Sequence, residues 1–291
     1  MQEEQAIDTM FDDGQPVTQP KTFKFDESKY LNTRLGPNEA ERKMKIRIIL
    51  TKDTVDGKDK VAIPVKIHSV KLSTDQKSLA KSGFKSFICL NDDHMNEHEE
   101  AGCPLCNKSK ELFALGNNTD DPVMQKSIYK EAYTYRPKTA YIVRCVDRAH
   151  EDEGVKFWRF NAKNDGTGCF DMLKNLASQR NAESKEYQGK PYNMFDYEEG
   201  RDLILTLTRS KSDNPNAPEK TGIVISDVAY NTPLSKDKEQ ADAWINDEND
   251  WKDMYRVKSY DYMKIVADGG LPVYDKSAGT FVPMEKENQE E

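Results

Sequence analysis

The sequence predicts a mainly β domain of the α+β class, about six strands in hairpins that form a small barrel or sandwich, with interrupting helices. Three observations carry this reading. Short β-branched runs alternate with a period of two, they fall in pairs across polar turns, and helical periods interrupt them without a regular strand–helix–strand rhythm. Residues 1–40 contain Pro16, Pro20 and Pro37 with no sustained period and read as an arm, in which Phe23 and Phe25 begin a short strand. Residues 44–52, MKIRIILTK, are strand-like. A polar turn with Asp56-Gly57 follows, and 61–70 alternates with Val61, Ile63, Val65 and Ile67 on one face. The two runs read as a hairpin, and Pro64, which lacks an N–H, puts its second strand at an edge or bulge.

Residues 71–102 are polar apart from 87–90, and 107–115 reads as a helix stopped at Gly116. A second helix is expected over 122–135, with Pro122 suited to its first turn. Strands at 139–146 and 155–161 flank the acidic turn 150–154, and 170–183 reads as a helix. Strands at 203–208 and 222–228 follow. Residues 236–267 read as helical with Trp244 and Trp251 seven apart on one face, and 285–291 is a short acidic tail. The expected division is an arm at 1–40, a core at 41–230 with an inserted metal-binding subdomain at about 66–116, and a helical C-terminal region at 231–291.

Composition removes several classes. The chain has 291 residues with 36% hydrophobic and 32% charged, poorer in core formers than an average domain, so part of it is expected outside any core. No run reaches the roughly 18 apolar residues of a membrane span. The acidic start MQEEQAIDTMFDDG lacks the pattern of an export signal. Five cysteines without such a signal favour reduced thiols, so the expectation is a soluble, intracellular protein. The net charge of -8 averages over unlike segments. Residues 44–90 hold ten Lys+Arg against four Asp, and 122–148 hold six against two acids, whereas 1–30 and 235–291 are acidic. A basic middle between acidic ends suits a polyanion binder.

Cys103-Pro-Leu-Cys106 has the spacing with which two thiolates grip one tetrahedral zinc from a tight knuckle. Two more ligands are needed, and Cys89, His68, His94 and His98 lie within reach in sequence. Three cysteines and one histidine would leave no open coordination position, so this zinc would be structural. His98-x-Glu100 followed by the cysteine pair resembles a deaminase signature. The spacing is wrong for one, because only two residues separate Glu100 from Cys103 and the proline falls inside the pair. No H-E-x-x-H, phosphate-binding loop or nucleophile elbow is present, and the protein is expected not to be an enzyme.

The order of a strand pair, a histidine, a cysteine, Cys-Pro-x-Cys, a basic aromatic segment and further strands resembles a known family. It is that of the zinc-containing single-stranded-DNA-binding, or helix-destabilising, proteins of large tailed phages. The resemblance covers about residues 40–230, through MKIRIIL (44–50), RPKTAY (136–141), EGVKFWRF (153–160) and YEEGRDLILTLT (197–208). It implies an OB-fold core, a barrel of five to six strands with peripheral helices, and one Zn2+ held by His68, Cys89, Cys103 and Cys106. It also implies DNA-contacting roles for Arg47 and Arg159, and protection of single strands in phage DNA replication, recombination and repair. That activity would take place in the cytoplasm of an infected bacterial cell, with replication and recombination proteins recruited through the acidic C-terminal region.

Sequence-tolerant binding of single strands needs cations along phosphates and aromatic faces for stacking. Residues 129–144 interleave both types, giving Tyr133, Tyr135, Arg136, Lys138, Tyr141 and Arg144 as candidates. Residues 155–160 add Trp158 and Arg159, the first strand adds Lys45 and Arg47, and Lys81 and Lys85 extend a positive floor. The alternative function is a zinc-stabilised structural or scaffolding protein acting through protein contacts, which predicts negligible affinity for oligonucleotides.

Overall fold

A computed structural model describes residues 27–72, 84–95, 102–210, 220–254 and 257–284. A helical turn at Glu27–Lys29 leads into β1 (Glu41–Ile49), β2 (Thr51–Lys52), β3 (Asp59–Lys60), β4 (Ile63–Lys71) and β5 (Phe84–Ile88). Helices α1 (Pro104–Asn117) and α2 (Pro122–Tyr135) follow, then β6 (Lys138–Asp147), β7 (Val155–Asn161) and α3 (Cys169–Gln188). The chain continues through β8 (Leu203–Ser210), β9 (Lys220–Asp227), α4 (Lys238–Ile245), α5 (Tyr260–Ala267), β10 (Pro272–Asp275) and β11 (Thr280–Pro283).

Seven strands form one antiparallel sheet in the order β5-β4-β6-β1-β8-β9, with β7 on the other edge of β6. The register explains the branching. Residues 138–142 of β6 pair with β4, residues 144–147 pair with β1 on that same edge, and 140–146 pair with β7 opposite. The sheet does not close, with β5 and β9 at separate ends, so the expected barrel is corrected to an open α+β sheet. The hairpin expected between 44–52 and 61–70 shrinks to the two-residue ladder β2–β3, because β1 and β4 each pair with β6 instead. Pro64 fits this course. On its open side β5 reaches only residues 67–71, so no ladder bond needs the missing N–H.

Alternation along the strands gives each face its own core. Ile46, Ile48, Val143, Trp158, Leu203 and Leu205 point toward α3 and pack with Leu173. Ile63, Val65, Ile67, Ile142 and Phe157 line the other face under Trp251. Fully burying each of these large side chains contributes about 2 kcal/mol. The C-terminal region is broken rather than one helix. Asp237 and Ser259 each cap a separate helix start, and the polar run 246–250 intervenes. Trp244 therefore packs with Ile49 and Val146 while Trp251 joins the other cluster.

Arg47 lies inside this frame with 0% exposure. Its guanidinium donates to the Asp196 carbonyl at 2.6 Å and lies 3.6 Å from Asp202, which Arg148 also holds at 2.8 Å. Burial pulls the Arg47 pKa below its ordinary value, against the attraction of Asp202. Gly200 makes room for it, since a Cβ there would stand 2.7 Å from the Arg47 Nη2 and press on the Asp196 carbonyl. Replacing Arg47 with Ala leaves the Asp196 carbonyl with only the Gly200 N–H, empties a buried site and takes one cation from the buried Asp202. The expected loss is about 3 kcal/mol of stability, read from the urea midpoint at unchanged slope.

Candidate metal centre

The four ligands implied at the sequence level converge. His68 on β4 shares a sheet face with Val70 and stands opposite Phe87 of β5, and Cys89 follows β5 directly. Cys103 is the N-cap of α1, with Pro104 in the first turn and Cys106 beyond it. Gly102, at φ +68°, supplies the left-handed residue that turns the chain into that helix. The helix start places the positive end of its dipole at the two sulfurs, which favours thiolate.

The ligand atoms of His68, Cys89, Cys103 and Cys106 all lie within 4.8 Å of one another. The His68 Nε2 is 3.4 Å from Cys103 Sγ and 3.6 Å from Cys106 Sγ, and Cys89 Sγ is 3.4 Å from Cys106 Sγ. A tetrahedral ion with bonds of about 2.3 Å to sulfur and 2.0 Å to nitrogen needs ligand edges of about 3.5–3.8 Å, close to these three separations, so the cluster could hold one metal ion. The His68 ring is oriented for it. Its Nδ1 lies 2.7 Å from the Tyr135 carbonyl, which only accepts, so Nδ1 carries the proton and the Nε2 lone pair faces the sulfurs.

Three crowded sulfurs do not ionise alike. S–H donation from Cys106 and then Cys89 holds the Cys103 thiol far below its usual range. The same hydrogen bond with Cys103 pushes Cys106 up to about 11 and raises Cys89 further. All five cysteines are free of disulfides, and Cys145 and Cys169 stand outside the cluster, each raised by burial.

Of the competing histidines, His94 is engaged elsewhere. Its Nδ1 is 2.8 Å from Asp92 Oδ1 and its Nε2 is 3.0 Å from Asp53 Oδ1. His98 lies outside the described residues, as do Phe23, Phe25, Lys81 and the tail 285–291.

The chain matches no family model and no curated protein. Among the described residues no helix is long and apolar enough to cross a membrane.

The residues expected to contact nucleic acid divide into two sets. Lys45, Lys85, Tyr133, Arg136 and Lys138 are exposed. Arg47, Trp158 and Arg144 are corrected. Arg47 is the buried ion-pair residue of the fold, and Trp158 is a core ring 4.6 Å from Phe160 with 0% exposure. The Arg144 guanidinium caps α4 by donating to the carbonyl of Trp244 at 2.9 Å and to those of Ile245 and Asp247. Tyr141 is half-buried and stacked on Phe170 at 4.2 Å, Tyr135 packs beside the metal cluster, and Arg159 is half-buried on β7. Alternation in a strand says which residues share a face but not which face meets solvent, so an inward cation such as Arg47 has the same sequence pattern as an outward one.

Sequence reasoning did not find the Tyr135 carbonyl as the partner of His68, because a backbone acceptor has no residue signature. The expected metal content is one ion per chain, measured by elemental analysis of purified protein. Cys89→Ser should abolish it, and His94→Ala should leave it at one.

Proposed function

We propose that the protein binds single-stranded DNA without sequence preference, as a non-catalytic component of phage DNA replication, recombination and repair. One structural zinc would fix its binding surface. One observation carries the reading. At the free end of β4, β5 and β6, residues 63–71, 84–88 and 136–142 contain Lys66, Lys71, Lys85, Arg136 and Lys138 and no Asp or Glu. Lys138 stands opposite Ile67, on the face of Lys71, and Lys85 opposite Val70, on the other face, so the cations flank this end of the sheet from both sides. Lys71, Lys85, Arg136 and Lys138 are exposed, with the 55% exposed Tyr133 on the helix just before them. Cations beside an available aromatic face are what a backbone-following, base-stacking surface requires.

The zinc assignment rests on the donor set, since three thiolates and one imidazole around a tetrahedron select zinc and leave no position for substrate. The zinc would hold His68 and, through its Nδ1 bond, the Tyr135–Lys138 segment that carries two of the cations. The branching of β6 between β4 and β1 is read as an opened form of an OB-type barrel, the core implied by the resemblance to phage single-strand-binding proteins.

A second reading, in which the protein acts through protein contacts, has its own support at the tip of the α1–α2 hairpin. There Leu115, Val123 and Met124 are 52%, 79% and 57% exposed.

Titration with a fluorescent oligo-dT and a matched duplex, at low and moderate salt, separates the two. The expected result is tight, salt-sensitive binding to the single strand and much weaker binding to the duplex. The double change Arg136→Glu, Lys138→Glu should then lower the slope of log affinity against log salt by about 1.4, the value for two lost phosphate contacts. Equal, weak binding to both forms would overturn the DNA reading and leave the contact surface at the hairpin tip.

A further inference from the structure

His94 occupies a place that the metal centre does not use. Its two ring nitrogens face two carboxylates from distant parts of the chain, Asp92 in the turn after Cys89 and Asp53 at the start of the β2–β3 turn. Asp53, Asp92 and His94 are only 2%, 1% and 5% exposed. A neutral imidazole owns one N–H and can serve one carboxylate, so a ring bonded to both must be the imidazolium. The ring also meets Trp251 edge-on at 5.3 Å, a third segment and the cover of the β4–β6 core face.

The charges around it balance. Asp53 also takes the Lys60 ammonium and the Val55 N–H, and Lys60 reaches Asp56 as well. Asp92 accepts the Lys66 N–H, while the Lys66 ammonium pairs with Asp93 at 3.1 Å. From the Trp251 side the charged neighbour is Lys252, 5.9 Å above the indole. Imidazolium and Lys60 thus offset Asp53 and Asp92. Loss of the His94 proton leaves an uncompensated buried carboxylate, which is costly where few waters reach.

We infer that the Asp53–His94–Asp92 triad is a proton-operated latch joining the β2–β3 hairpin and the Trp251 turn to the metal-binding turn at 89–95. The hydrogen bond to Asp92 raises the His94 pKa, against the opposing effect of burial. Burial acts to raise the carboxyl pKa values, but the bond from Lys60 at Asp53 and from His94 at Asp92 win, and both end lowered. A raised histidine contributes its full stability below the unfolded value of about 6.5 and loses it as pH climbs through the folded value. The lowered carboxylates contribute above their ordinary range and lose it in acid. The latch is therefore fully shut between the carboxylates' acid range and about pH 6.5, and it opens as pH rises through the folded His94 value.

Hydrogen exchange of the full-length chain across a pH series, corrected for base-catalysed exchange, tests this alongside an NMR titration of the His94 ring. Protection at 53–58, 89–95 and 251–254 should fall together, by about tenfold per pH unit between about 6.5 and the measured His94 pKa, and then level off. His94→Gln should make protection of these segments lower and flat across that window. Asp53→Asn, a milder change, should move the window downward. A His94 pKa at or below that of free imidazole, or protection that ignores its titration, would overturn the inference. The measurement involves no nucleic acid, so its outcome is independent of the function proposed above.

Discussion

One edge of β6 is shared by two strands in succession, and the rest of the structure follows from that. β4 takes residues 138–142 and β1 takes 144–147, so the two strands that are neighbours in sequence cannot be neighbours in the sheet. From the first half of β6 hang β4, β5 and the metal ligands. From the second half hang β1, β8 and β9 with α3 across them. The ladder between β4 and β6 ends at Ile67 and Lys138, and the next residue of β4 is His68. Its ring bond to the Tyr135 carbonyl joins the same two segments just beyond the ladder, so a candidate metal ligand continues the sheet by side chain where the backbone stops.

The metal half also has little else to hold it. Its buried cluster consists of Val70, Phe87, Leu105, two of the cysteines, and Met263, Val266 and Ala267 from α5. In a core this small, an ion held by the cluster would make up for missing apolar area. The contribution from α5 means that the C-terminal region seals the cysteines rather than trailing from the fold. In α1, Gly116 lets the Tyr129 ring of α2 lie directly on the backbone, which sets how closely the two helices approach.

What the sequence made legible was local. The ladders β6–β7 and β8–β9 and the three longer helices could be read because period, turn and cap lie within a few residues of each other. The β1–β4 hairpin failed for the opposite reason. Nothing near residue 50 announces that a strand at 138–147 will come between. Cys103 and Cys106 were readable from spacing alone, whereas the choice among His68, His94 and His98 was not. What sets His94 apart is a pair of carboxylates at positions 53 and 92, brought to it only by the fold.

The same distinction governs the charges. Arg47 and Arg148 meet Asp202 in the interior, and Arg180 and Arg201 meet Asp227 at 2.7 Å each, so these cations are consumed in holding loops and helix to the sheet. At the free end of β4, β5 and β6, Lys66 pairs with Asp93, whereas Lys71, Lys85, Arg136 and Lys138 are exposed. Counting basic residues cannot separate the two sets, because an arginine in an alternating strand looks the same whether it faces a buried aspartate or water. The chain's net charge of -8 is equally uninformative about that end of the sheet. At physiological salt the screening length is about 8 Å, so acids on the α3 half scarcely weaken a cluster of cations at the opposite end of β6. A polyanion meeting this end would respond to the charges within that length, and these depend on the row each lysine shares rather than on the chain's total.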